Sequence, residues 1–149
     1  MTVNQRVGGS SPSADANLII MIKNLEAAKE LLALYKSLTL TEIQYQWDKY
    51  VESIDPELLD EYTVISGGDV LGSITGFGTT GSCKLCKACE VVCDNCIYSK
   101  LNDYTEDDYP CLDNTYRLVD DCVTPEDLYE NLQLRIERLE EAIQCASIA

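Results

Sequence analysis

Apolar residues recur at steps of three and four in two long stretches, one near each end of the chain. The first contains Leu18, Met21, Ile22, Leu25, Ala28, Leu31, Leu32, Tyr35 and Leu38. The second contains Leu128, Leu132, Ile136, Leu139 and Ile143, with Glu130, Arg138, Glu140 and Glu141 on the opposite side. That spacing puts each set on one side of a helix, and a helix with one apolar side must bury it against another element. Helices are therefore predicted over about 17–38 and from Thr124 to about Cys145, and the fold class is mostly α.

Local signals add shorter helices. Thr39 followed by Glu42 is a capping box, opening a second helix with Ile43, Trp47, Tyr50, Val51 and Ile54 inward. Asp55-Pro56 reads as cap and first turn of a third, with Leu58, Leu59 and Tyr62 facing the core. Residues 113–121 suggest a short helix carrying Tyr116 and Val119. Thr124-Pro125-Glu126-Asp127 is a strong start for the last helix, with acids on the positive end of its dipole.

Between these helices the pattern breaks. Six glycines fall within residues 62–82. Two β-branched runs, 63–66 and 70–75, are compatible with at most a small β-hairpin. Residues 1–16 are rich in Gly, Ser and Pro and read as a disordered tail. The expected organisation is a single helical domain over 17–149, with a Gly/Cys-rich insertion at about 63–111.

The chain holds 26 acidic and 11 basic residues, a net charge of −15, and no histidine. The charge disfavours direct binding to nucleic acid or to anionic membranes, because both repel it. It suits solubility, a basic protein partner, or mimicry of nucleic acid in a host protein's groove. Without histidine, Ser–His–Asp and Cys–His catalysis are excluded, and a conventional hydrolase is disfavoured. The apolar run Leu18 to Ile22 is too short for a signal sequence or a membrane span, so the expected location is cytoplasmic.

Cysteine carries the chemistry. The spacing is Cys83-x2-Cys86-x2-Cys89-x3-Cys93-x2-Cys96, with Cys111, Cys122 and Cys145 further on. In a reducing compartment such thiols read as metal ligands or redox groups before disulfides. The pairs Cys83/Cys86 and Cys93/Cys96 are two CxxC turns, which can close a tetrahedral Zn²⁺ site; Cys89 and Cys111 are the alternate ligands. The six-residue joining segment is shorter than usual for zinc. Cys83, Cys86, Cys89 and Cys93 also match the run that holds a 4Fe-4S cluster in bacterial-type ferredoxins. Asp94 stands where that family has Pro, and the second run is missing. The same steps are helical, so a buried stripe of inert thiols is a further reading, with disulfides a fourth.

Two other motifs carry less. Gly76-x-Gly78-x-x-Gly81 fits the dinucleotide fingerprint by letter but lacks the flanking βαβ unit. Asp103, Glu106, Asp107 and Asp108 lack calcium-loop spacing.

The segments "LTLTEI", "ITGFGTTGSCKLC", "CDNCIYSK", "YPCLDNTY" and "TPEDLYENLQLRIERLEEAI" resemble small cysteine-cluster proteins of bacteriophages and mobile elements. That resemblance implies expression inside a bacterial cell and a host-directed or virion role. It brings no established activity and no catalytic residue. The expected function is a protein-interaction module with a structural zinc site, with an iron–sulfur redox carrier or an acidic nucleic-acid mimic as the alternatives.

Overall fold

The computed structural model describes residues 14–60, 64–78, 83–90, 95–101, 111 and 114–148. Six helices run in the order α1 (Ala14–Ser37), α2 (Leu40–Ser53), α3 (Gly67–Thr75), α4 (Lys84–Ala88), α5 (Asn114–Asp120) and α6 (Pro125–Ile148). Two 3₁₀ turns, Pro56–Leu58 and Ile97–Leu101, lie among them. The described residues contain no strand, and none of their helices is long and apolar enough to cross a membrane.

The caps form as their chemistry requires. Thr39 Oγ1 accepts from the Glu42 N–H at 3.1 Å. Asp55 Oδ1 accepts from the Glu57 N–H at 3.0 Å. Thr124 Oγ1 accepts from the Asp127 N–H at 3.2 Å. Each satisfies one of the backbone donors that a helix start leaves unpaired.

Helix α6 is the centre of the molecule. It packs on α1, α2, α5 and the turn at 97–101. Leu128, Leu132, Ile136, Leu139 and Ala142 are its buried side. Helix α1 meets it with Ala28, Leu31 and Tyr35, and α2 adds Ile43 and Trp47. At the surface Lys36 Nζ bridges to Glu140 Oε2 at 2.8 Å, with both side chains about half exposed; such a pair contributes at most about 1 kcal/mol.

Several expectations are corrected. Residues 70–75 are helical, within α3, and not part of a hairpin. The preceding glycines are there for close approach. A Cβ on Gly67 would collide with the Val119 carbonyl oxygen and lie 2.9 Å from Cys122 Cβ. The Gly67 N–H donates to the Cys122 carbonyl at 2.8 Å, and Ser66 Oγ donates to Asp120 Oδ1 at 2.7 Å. The start of α3 is thus pressed onto the end of α5, and packing overrides the β preference of Val70, Ile74 and Thr75. Gly76, at φ 76°, then ends α3 in the left-handed region, with its N–H on the Gly72 carbonyl.

Leu58 faces solvent at 73% exposure, because Pro56–Leu58 makes a single 3₁₀ turn instead of a helix. Leu18 and Ile22, expected inward, are exposed; the buried side of α1 begins at Asn24. Residues 14–16, expected in the tail, belong to α1. Tyr62 and Thr63 lie outside the described residues, as do residues 1–13.

Gly67→Ala tests the α3–α5 contact. It is expected to lower unfolding stability by about 1–3 kcal/mol, the range for overpacking a tight site. Gly76→Ala is strained by its φ but meets no atom within 4 Å, so it should leave that contact intact. Urea midpoints of the two variants provide the measurement.

Candidate functional site

The cysteine segment is held against α1 by one side chain. Asn24 is buried, 1% exposed. Its Nδ2 donates to the Leu85 carbonyl at 2.7 Å, and its Oδ1 accepts from the Ile97 N–H at 2.6 Å. Leu85 is in α4 and Ile97 opens the 3₁₀ turn, so one amide fixes the chain on both sides of Cys89. Leu85, Ile97 and Tyr98 are themselves buried, and the two backbone groups they contribute are paired away from water.

Around this anchor the cysteines take different positions. Cys83 precedes α4 and is half-buried; the Lys87 N–H donates to its carbonyl at 3.0 Å. Cys86 is half-buried in α4. The helix then stops. Cys89 N–H donates to the Cys86 carbonyl at 3.3 Å, and Glu90 turns the chain with a positive φ of 54°. The five cysteines therefore do not share one continuous helix, which removes the helical-stripe reading. The stripe fails because α4 is only five residues long.

Cys89 and Cys96 meet in the interior, 1% and 7% exposed. The Cys96 thiol hydrogen-bonds the Cys89 sulfur, and Cys89 Sγ in turn donates to the Cys86 carbonyl at 3.2 Å. That hydrogen bond, with burial and the nearby Cys111, pushes the Cys96 thiol far up from its ordinary range. Burial also raises Cys83, opposed by backbone N–H groups at Leu85 and Cys86 and by the Arg135 charge. The raised Cys83 and Cys96 thiols are protonated at neutral pH.

Arg135 is the charged group at this centre, 5% exposed. Its Nη1 donates to Thr115 Oγ1 at 3.2 Å and its Nη2 to the Cys111 carbonyl at 3.1 Å. The guanidinium carbon lies 4.5 Å from the Tyr98 ring centroid and 5.5 Å from that of Tyr116. It also hydrogen-bonds Tyr35, whose phenol is raised by burial and lowered by Arg135. One cation thus touches α1, the turn at 97–101, Cys111 and α5.

Of the sequence-derived ligand set, Cys83, Cys86 and Cys96 are described and Cys93 lies outside the described residues. Among the described residues, no three Cys, Asp or Glu side chains are arranged to share one metal ion. The structure sets the Cys96 thiol against Cys89 and near Cys111, and keeps Cys83 near Cys86. Cys122 bonds elsewhere, donating to the Leu118 carbonyl at 3.0 Å and accepting from Asn131 at 3.3 Å. Asp103, Glu106, Asp107, Asp108 and Gly81 lie outside the described residues.

Asn24 and Arg135 were missed in the sequence, yet both occupy core positions. The buried residues of α1 run Asn24, Ala28, Leu31, Tyr35; those of α6 include Leu128, Leu132, Arg135, Leu139 and Ala142. A polar residue standing in an apolar helical register was the available signal.

No protein-family model matches the chain, and no curated protein or solved structure is similar to it.

Asn24→Leu keeps the volume and removes both hydrogen bonds. It leaves two buried backbone groups unpaired, at about 1–3 kcal/mol each. The expected result is a loss of about 2–5 kcal/mol in denaturant unfolding, together with faster amide exchange at Ile97. Wild-type protection at Ile97 in the variant would refute the anchor.

Proposed function

We propose that this protein is a small acidic protein-interaction module whose cysteine lobe is fixed by a structural Zn²⁺ ion. The observation that supports it most is the buried contact between Cys89 and Cys96. Two sulfurs on one tetrahedral zinc, with bonds of about 2.3 Å, stand about 3.8 Å apart. The Cys96 thiol is close enough to the Cys89 sulfur to hydrogen-bond it. Zinc would displace their protons to solvent and remove the cost of burying two adjacent anions.

Cys93 lies in sequence between the paired thiols and forms a CxxC with Cys96, and Cys111 is close enough to Cys96 to act on its charge. The proposed ligands are accordingly Cys89, Cys93, Cys96 and Cys111. This differs from the spacing-based set Cys83, Cys86, Cys93 and Cys96. Cys83 lies close enough to Cys86 and to Arg135 for both to act on its charge, so the spacing-based set remains the competing assignment.

The surface suits a basic partner. Exposed acids occur on every long helix, among them Glu26 and Glu30 on α1, Glu42, Asp48 and Glu52 on α2, and Glu137, Glu140 and Glu141 on α6. Such a surface steers a cationic partner by long-range attraction, which salt weakens.

Native mass spectrometry of the reduced chain, with elemental analysis, is expected to show one zinc per chain. Cys89→Ser or Cys96→Ser should abolish uptake, while Cys122→Ser and Cys145→Ser should not. Chelation should expose the Glu90 bond to a glutamate-specific protease while the helical circular dichroism persists. A metal-free protein with an unchanged protease pattern under chelator would defeat the proposal. A brown protein absorbing near 400 nm would assign an iron–sulfur centre instead. Loss of zinc in Cys83→Ser and Cys86→Ser, with retention in Cys89→Ser, would restore the spacing-based ligand set.

A further inference from the structure

We infer that the groove between the end of α1 and the middle of α6 is the seat of the basic partner, and that it takes a segment with an arginine or lysine beside an apolar side chain. The inference rests on the acidic-surface reading above and names the place on that surface; it does not depend on zinc. The groove encloses about 400 Å³, within the about 300–1,000 Å³ usual for binding clefts. Its α6 wall carries Tyr129, Gln133, Ile136, Glu137 and Glu140, and α1 contributes Tyr35 and Lys36. Tyr129, Gln133, Ile136 and Glu140 follow one another at helical steps of three or four, with Glu137 beside them, so they share one side of α6. From Tyr129 to Glu140 that side runs about 16 Å, at about 1.5 Å per residue. It matches about five residues of extended chain.

The walls select the occupant. Tyr35 and Ile136, 8% and 7% exposed, give the groove an apolar floor. Tyr129 is half-buried and offers an aromatic ring that a cation can lie against. Charge along the rim is uneven. Glu140 is paired with Lys36 Nζ at 2.8 Å. Outside the groove, Glu141 is bridged by Arg138 at 4.0 Å. Glu137 is exposed, and among the described residues no lysine or arginine pairs with it. A cation entering beside Tyr129 and Gln133 therefore meets one uncompensated carboxylate next to an apolar floor. An acidic segment is repelled by Glu137 and by the net charge of −15. A wholly apolar segment would strip water from Glu137 and give it no partner. Glu52, near the end of α2, is also an exposed acid but does not line the groove.

A synthetic octapeptide alternating arginine and leucine, titrated into the reduced full-length protein at low ionic strength, is the test. Calorimetry reads the affinity and amide NMR shifts read the place. The expected result is a saturable one-to-one complex with its largest shifts at Gln133, Ile136 and Glu137. Glu137→Lys turns attraction into repulsion at the rim and is expected to weaken binding about tenfold. Glu52→Lys makes the same change of net charge outside the groove and should stay within about threefold of wild type. Lys36→Met removes the rim cation and frees Glu140, so it should tighten binding by about threefold. All three positions are exposed, so these substitutions leave the core packing in place. Equal weakening in Glu137→Lys and Glu52→Lys overturns the inference and leaves a diffuse acidic surface for the basic partner. Unchanged or weaker binding in Lys36→Met also overturns it. So does equal binding of an octapeptide alternating glutamate and leucine, because the apolar floor alone would then be the cause. Failure of the wild-type chain to bind the arginine–leucine peptide at all defeats the basic-partner reading instead.

Discussion

The cysteine segment depends on the amide of Asn24. The segment buries Leu85, Ile97 and Tyr98 on the helical scaffold, but apolar burial alone does not fix the register of two chain segments against one helix. Asn24 supplies the missing order through two short bonds, one to Leu85 and one to Ile97. An amide has one donor side and one acceptor side. Here each side meets the backbone group it can satisfy, so the two ends of the cysteine segment are brought to one point on α1. The burial of Leu85, Cys89, Cys96 and Ile97 follows from that closure. An apolar residue at position 24 could pack there but could not align two chain segments.

Arg135 does the complementary work from α6. It gathers Tyr35, Tyr98, Thr115, Tyr116 and Cys111 around one guanidinium. Burying a charge is costly, and the cost is reduced by hydrogen bonds to oxygens and by aromatic faces. The fork of arginine can serve several such partners at once, which a lysine cannot. The lobe is therefore held between two polar residues on the two longest helices. The rest of the interior is conventional apolar packing of α1, α2 and α6.

Much of the scaffold was legible because it is encoded locally. Thr39, Asp55 and Thr124 each announce a start by their own side chains, and the spacing from Leu128 to Leu139 identifies the buried side of α6. What failed was decided by tertiary contact. Val70 to Thr75 looks extended in isolation, yet the backbone approach of Gly67 to Val119 stabilises a helix there. Leu18 and Ile22 fit the periodic pattern but lie before Asn24, where the core side begins. At the cysteine segment the contact between Cys89 and Cys96 was not legible from spacing. CxxC spacing pairs Cys83 with Cys86, and those two do lie near each other, but it does not announce the contact of Cys96 with Cys89 beyond the turn at Glu90. No rule of spacing foresees a non-glycine residue at φ 54°.

The state of these thiols bears on what a metal would change. Protonated cysteine packs as a small hydrophobe. Cys89 and Cys96 can thus fill the interior of the lobe as neutral thiols, with the Asn24 bonds and Leu85 holding its outline. None of α1, α2 or α6 contributes a proposed ligand, so the proposed metal would leave their packing unchanged. The effect of the proposed metal would fall on the cysteine lobe. Converting two neutral thiols into metal-bound thiolates replaces a deformable sulfur contact with fixed bond lengths and angles. The proposed module would keep its helices in either state and set the shape of one face by metal occupancy.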